Sequence, residues 1–194
     1  MSLVIANLVT IGLALSQGWD LEELMFIYWA QSVIIGVFTY ARMMSLRKFS
    51  TRGMTSGGFP EPETTATKHG TANFFTFHFG FFHLIYFGFL VMRAPKSLLA
   101  NLPFLILGVV VFAANHGYTF LKHRKRDALG KPGLAGIMIF PYIRIVPMHL
   151  TLMVAIAVDS PSPTVLVLFL VLKTCADVVM DWIELATLPE SQPA

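Results

Sequence analysis

The chain has 194 residues, of which 55% are hydrophobic and only 13% are charged, and its mean hydropathy is +0.67. Soluble domains usually carry about 25% charged residues, so the composition excludes an ordinary soluble domain. Disorder is excluded as well, because 17 phenylalanines and long aliphatic runs are the opposite of a low-hydrophobicity composition. The one cysteine, Cys175, excludes internal disulfides and paired-cysteine metal or redox motifs. The composition therefore predicts an all-α, polytopic membrane helical bundle.

A membrane-spanning helix needs about 20 mainly apolar residues. Six such segments are predicted, at 2–17, 21–42, 71–92, 99–121, 134–158 and 163–186. The first has neither the basic start nor the small-residue cleavage site of a signal peptide, so we interpret it as a retained helix. The fifth contains Pro141 and Pro147, and residues 134–140 are expected to be re-entrant or interfacial. Together the six segments predict one integral membrane domain, residues 1–194.

Lysine and arginine residues predict the orientation, because short cytoplasmic loops are enriched in them. Ten lie in the loops that follow the second and fourth segments: Arg42, Arg47, Lys48, Arg52, Lys68, Lys122, Arg124, Lys125, Arg126 and Lys131. The opposite side has only Arg93 and Lys96. Both basic loops and, with six spans, both termini are therefore predicted to be cytoplasmic, in a bacterial-type inner membrane.

The same charge distribution bears on partners. Topology explains the net charge of +3, so no nucleic-acid partner is expected. Membrane lipids are the expected partners, and a homodimer is compatible with so small a bundle. The first basic loop, Met43 to Gly70, contains Gly57, Gly58, Pro60 and Pro62 and is expected to be flexible.

Ionisable side chains inside a membrane are costly, so they are functional candidates. Four of them share one stripe of segment 163–186, because at 100° per residue they fall within about 80° of one another: Lys173, Asp177, Asp181 and Glu184. With Arg144 of the fifth segment, they suggest two interpretations. They form either a neutral buried network that fixes helix packing, or a site with Asp177 and Asp181 as catalytic carboxylates and Arg144 and Lys173 as cofactor-binding cations.

Four of the six histidines lie in predicted spans, on three segments: His78, His83, His116 and His149. His83 and His149 fall near the midplane, whereas His78 and His116 fall in the cytoplasmic third, at the level of Asp177 and Asp181. A lone membrane histidine is more often a packing residue. Donors from different helices at one depth are nevertheless what a metal site in a helix bundle needs, and imidazole suits zinc and iron. We therefore predict a transition-metal site.

The spacing of the first two histidines restricts that site. His78 and His83 are five residues apart, about 140° around an ideal helix. They therefore face different neighbours, unless a π-bulge near Gly80 brings them together.

Five short motifs lie at these polar positions: YWAQSVIIG, HFGFFH, HGYTF, PYIRIVPMH and KTCAD. In this pattern the chain resembles a family of uncharacterised bacterial polytopic membrane proteins with intramembrane histidines, classed together only as a domain of unknown function. The resemblance covers nearly the whole chain and implies that these positions form one site, but it implies no activity. It also implies an acidic residue where this chain has Gln31, and so the loss of one candidate ligand or base.

The sequence leaves four functions open. In the first, zinc or iron held by His78, His116 and Asp177 or Asp181, or by His83 and His149, serves an intramembrane enzyme with a lipid-like substrate. In the second, the same residues form the path of a small metal-ion or proton transporter. In the third, His83 and His149 bind haem. In the fourth, the polar residues only fix the packing. We rank a metal-binding membrane protein first, with enzymatic use ahead of transport.

Overall fold

A computed structural model describes residues 21–158, together with 171–172, 174–176 and 178–179, which are helical. The side chain of Arg144 and the predicted segment 2–17 lie outside the described residues, as does most of segment 163–186. The chain divides into two compact units, Glu22–Tyr142 and the remainder. The contacts that position the candidate site lie within Glu22–Tyr142.

The described part of the chain is mainly helical and contains one short hairpin. Its elements are α1 (Leu21–Ser45), β1 (Thr55–Ser56), β2 (Phe59–Pro60), α2 (Thr65–Met92), α3 (Leu98–Leu129) and α4 (Leu134–Val158). Three of the helices, α1, α2 and α3, are long and apolar enough to cross a membrane. The prediction of a helical fold is therefore confirmed for this part of the chain, and three of its helices could cross a membrane.

The helix ends differ from the predicted ones where the chain leaves the apolar stretch. α2 begins at Thr65 instead of residue 71, and α3 continues to Leu129 instead of residue 121. Hydropathy detects only the apolar stretch, whereas helical hydrogen bonding continues into the polar flank, where the Thr64 side chain caps α2 by accepting from the Thr67 amide. Residues 134–140 are the regular start of α4, and their re-entrant or interfacial location stays a prediction.

The loop between α1 and α2 contains a short hairpin, and its flexibility stays a prediction. β1 and β2 pair antiparallel, with Thr55 opposite Pro60. Gly57 and Gly58 have φ of 56° and 86°, and positive φ at both central residues is the requirement of a type I′ hairpin turn. Lys68 closes the loop at its other end, because its Nζ donates to the carbonyls of Met44 and Leu46 at the end of α1.

The two basic loops lie at the same end of the helices. The Ser50 amide donates to the Pro132 carbonyl and the Leu134 amide donates to the Ser50 carbonyl, each over 2.9 Å. Lys131 and Glu63 add an ion pair of 2.6 Å between the same loops. This arrangement agrees with the charge pattern, which requires both loops to face the same side of a membrane.

The core of the Glu22–Tyr142 unit lies along the seam between α1 and α2. α1 contributes Leu24 and Met43, and α2 contributes Phe75, Phe79 and Leu90, all buried. α3 is different, because its buried residues are only Leu105 and Asp127. An apolar helix that exposes most of its side chains suits a position facing lipid.

Candidate functional site

His83 is held at the α1–α2 seam by both nitrogens of its ring. Nδ1 lies 2.8 Å from the Phe79 carbonyl oxygen, and Nε2 lies 2.9 Å from the Ser32 hydroxyl of α1. Because a carbonyl can only accept, Nδ1 donates, and Nε2 of the neutral ring accepts from Ser32. The side chain is 4% exposed. A metal at Nε2 would therefore have to displace the Ser32 hydroxyl.

The surroundings of His83 are those of a packing residue. The Phe79 ring stacks on the His83 ring with centroids 4.2 Å apart. Trp29 of α1 donates its indole N–H to the His83 carbonyl over 2.9 Å. Two hydrogen bonds thus join α1 to α2 at one residue, in the way that polar side chains link helices in membranes.

His78 faces a different helix and keeps one ring nitrogen accessible. Its Nδ1 lies 3.0 Å from the hydroxyl of Tyr142 on α4, and its ring stacks on Phe74. The side chain is exposed, and its Nε2 has no hydrogen-bond partner among the described residues. α2 is α-helical throughout, without a π-bulge at Gly80, so His78 and His83 face different neighbours, as the 140° separation predicts.

The other two histidines lie on α3 and α4. His116 is half-buried on α3, stacked on Phe112 with centroids 4.9 Å apart, and its ring lies 6.0 Å from that of Phe38 of α1. His149 is exposed on α4, beyond the Glu22–Tyr142 unit.

The charged residues of the predicted site lie outside the described part of the chain. These are Lys173, Asp177 and Asp181, together with the side chain of Arg144. Within the part of the chain that is described, no group of three or more His, Cys, Asp or Glu side chains is arranged to hold a metal ion. The ligand set therefore stays a prediction.

Two partly buried polar pairs join α1 to α3, and the sequence analysis missed both. Arg42 donates from Nε and Nη2 to the two carboxylate oxygens of Asp127, over 2.7 and 2.9 Å. Glu23, only 1% exposed, accepts from Nδ2 of Asn101 over 2.8 Å. Asp127 carried a usable signal, because it is the one acid within the basic run KHRKRDALGK.

If His83 packs the seam, removing its partner should affect stability. Replacing Ser32 with alanine is expected to lower the free energy of unfolding by about 0.5–2 kcal/mol, the usual range for a hydrogen bond between membrane helices. The measurement is an SDS-titration unfolding curve of the detergent-solubilised protein. Ser45→Ala is the matched control, since its hydroxyl bonds only to the Arg42 carbonyl of its own helix. Unchanged stability of Ser32→Ala would contradict the packing role.

The comparisons with known proteins place the chain in an uncharacterised family. Residues 1–193 match the model of a family of unknown function, DUF6498. No curated protein and no solved structure matches the chain. The expectation of an uncharacterised family covering nearly the whole chain is thereby confirmed, and the chain belongs to the family of unknown function DUF6498.

Proposed function

We propose that the protein binds a transition metal, zinc or iron, through His78 and uses it as an intramembrane enzyme on a lipid-like substrate. The observation that supports this proposal is the hydrogen bond between His78 Nδ1 and Tyr142. Histidines that bind metals usually have the second nitrogen hydrogen-bonded to a neighbouring group, which fixes the ring and its tautomer. His78 has this arrangement, with Nε2 left for a ligand.

The remaining ligands are proposed from depth and chemistry. His116 and either Asp177 or Asp181 complete the set, because they share the predicted level of His78. This choice is preferred to His83 with His149, and to haem on that pair, because the His83 ring already uses both nitrogens.

Four charged residues have proposed roles in such a site. The metal, when bound, would supply a Lewis acid and an acidified water molecule. The aspartate that does not hold the metal, Asp177 or Asp181, would serve as the general base. Arg144 and Lys173 hold the anionic part of the substrate. A lipid-like substrate suits a site reached from within the bilayer.

The proposed topology has six spans in a bacterial-type inner membrane, with both basic loops and both termini cytoplasmic. The hydrogen bonds between the two basic loops support their location on one side. A Ser56→Cys, Cys175→Ser variant has one cysteine, in the first basic loop. It should react with a membrane-impermeant maleimide only after spheroplasts are opened. Reaction in intact spheroplasts would reverse the orientation.

The metal proposal predicts a specific loss. His78→Ala should reduce bound zinc or iron from near one atom per chain to below a tenth, and Tyr142→Phe should weaken binding about 10–100-fold by releasing the ring. The measurement is elemental analysis of protein purified without chelators or a metal-affinity column. His69→Ala, an exposed histidine at the start of α2, is the control and should retain the metal.

Three outcomes would overturn this assignment. Metal-free wild-type protein with a flat visible spectrum would remove the metal and the enzyme with it. A Soret band would replace the proposal with a haem protein. Full metal content in His78→Ala would place the ligands elsewhere.

A further inference from the structure

A groove of about 500 Å³ runs along the seam between α1 and α2. Trp29 and Tyr40 mark its two ends on α1, and Thr76, Gly80 and Leu84 line it on α2. We propose that this α1–α2 groove binds one acyl chain of an anionic membrane phospholipid. The site is separate from the proposed metal ligand, because His78 does not line the groove.

The lining of the groove selects an apolar occupant. Two of its polar side chains are already hydrogen-bonded within the protein, the Trp29 N–H to the His83 carbonyl and the Thr76 hydroxyl to the Ala72 carbonyl over 2.9 Å, and the Tyr40 hydroxyl lies at one end. Both ring nitrogens of His83 are occupied as well. A polar ligand would lose its own hydration without gaining partners here, whereas a hydrocarbon chain loses nothing.

The dimensions of the groove distinguish a lipid chain from a protein helix. At 1.5 Å per residue, the stretch from Trp29 to Tyr40 is about 17 Å long, so 500 Å³ corresponds to a mean cross-section of about 30 Å². An α-helix with its side chains is about 10–12 Å wide, roughly 80–110 Å² in section. The section of the groove is therefore close to that of one extended hydrocarbon chain and well below that of a whole helix.

The position of the groove indicates which ligand is available to it and in which orientation that ligand binds. Both α1 and α2 can cross a membrane, so the groove lies among lipid chains. The end at Tyr40 is the end with the basic loops. Arg47 and Lys48 follow α1 there, exposed and with no partner among the described residues, and His69 lies two turns before Thr76 on the same face of α2. Positive charge at this end attracts an anionic headgroup.

Trp29 offers a direct measurement of the occupant. In a Trp19→Phe, Trp182→Phe background it is the sole tryptophan, and bromine atoms on an acyl chain quench indole fluorescence at contact. Brominated phosphatidylglycerol, added to detergent-solubilised protein, should quench Trp29 saturably at about one lipid per chain. Brominated phosphatidylcholine should need at least a threefold higher concentration.

Two glycines of α2 form a matched pair of variants. A Cβ at either Gly80 or Gly88 would meet no atom within 4 Å, so neither position excludes a side chain at its Cβ. Only Gly80 lines the groove. Gly80→Leu should therefore raise the lipid concentration for half-maximal quenching at least tenfold, whereas Gly88→Leu should leave it unchanged.

Other results would overturn the proposal. Quenching that is unsaturable, or equal in Gly80→Leu and Gly88→Leu, would mean contact with bulk lipid only. A dimer that Gly80→Leu dissociates, with Trp29 shielded from brominated lipid, would mean that a second copy occupies the groove. Equal quenching by the two headgroups would remove the anionic assignment. His78→Ala should leave the quenching unchanged, so loss of the metal site and loss of the lipid site are distinguishable.

Discussion

Replacing Asp127 with asparagine is expected to lower the free energy of unfolding by about 2–4 kcal/mol, because Arg42, which is half-buried, would then lose its charged partner. The two side chains are 15% and 6% exposed and form a bidentate ion pair between the end of α1 and the last turns of α3. α3 buries little else, so this ion pair is one of the main contacts that hold α3 against α1. SDS-titration unfolding, followed by circular dichroism, measures the loss.

Two variants test the origin of this effect. Arg126→Ala removes the adjacent but exposed charge and should change stability by less than about 0.5 kcal/mol. The double variant Arg42→Met, Asp127→Leu replaces the pair by apolar side chains and should recover most of the stability, since no charge is then left unpaired. An Asp127→Asn protein as stable as the wild type would mean that water screens Arg42 at the membrane surface.

The helices were predictable because the bilayer imposes a length on apolar segments. Four predicted segments correspond to α1–α4, and the errors lie where hydropathy carries no information, as at Thr65 and Leu129. The hairpin was missed for another reason. Gly57 and Gly58 were read as flexibility, although two adjacent glycines also meet the positive-φ requirement of a two-residue hairpin turn.

For the candidate site, the sequence predicts how the histidines are arranged around α2 but not which residues of other helices they contact. The spacing of His78 and His83 fixes their angle on α2, and the prediction that they face different neighbours is confirmed. The identity of those neighbours, Tyr142 and Ser32, depends on how α4 and α1 are rotated against α2. A single sequence carries no information about the rotation of one helix against another. Arg42 was likewise counted as a loop charge, because a charge count cannot reveal a buried partner.

Replacing Gly36 with valine is expected to destabilise the protein by about 2–3 kcal/mol through overpacking at the α1–α2 seam. A Cβ on Gly36 would lie 2.6 Å from Cε1 and 3.0 Å from Cδ1 of the Phe79 ring, which is closer than these atoms can approach. The ring has little freedom to move, because it is 4% exposed and is packed between His83 and Phe75. The same SDS-titration curve measures the loss.

A second substitution, at Phe79, should relieve the clash. Phe79→Leu removes the ring atoms that meet the new side chain, so Gly36→Val, Phe79→Leu should be more stable than the sum of the two single variants by at least about 1 kcal/mol. Gly80→Val is the control for adding a β-branched side chain to a helix, because its Cβ meets open space. Since His78 contacts α4 and not α1, Gly36→Val should keep its bound metal while losing stability. Additive effects of Gly36→Val and Phe79→Leu on the free energy of unfolding would contradict this interpretation. The destabilisation by Gly36→Val would then arise outside the contact with the Phe79 ring.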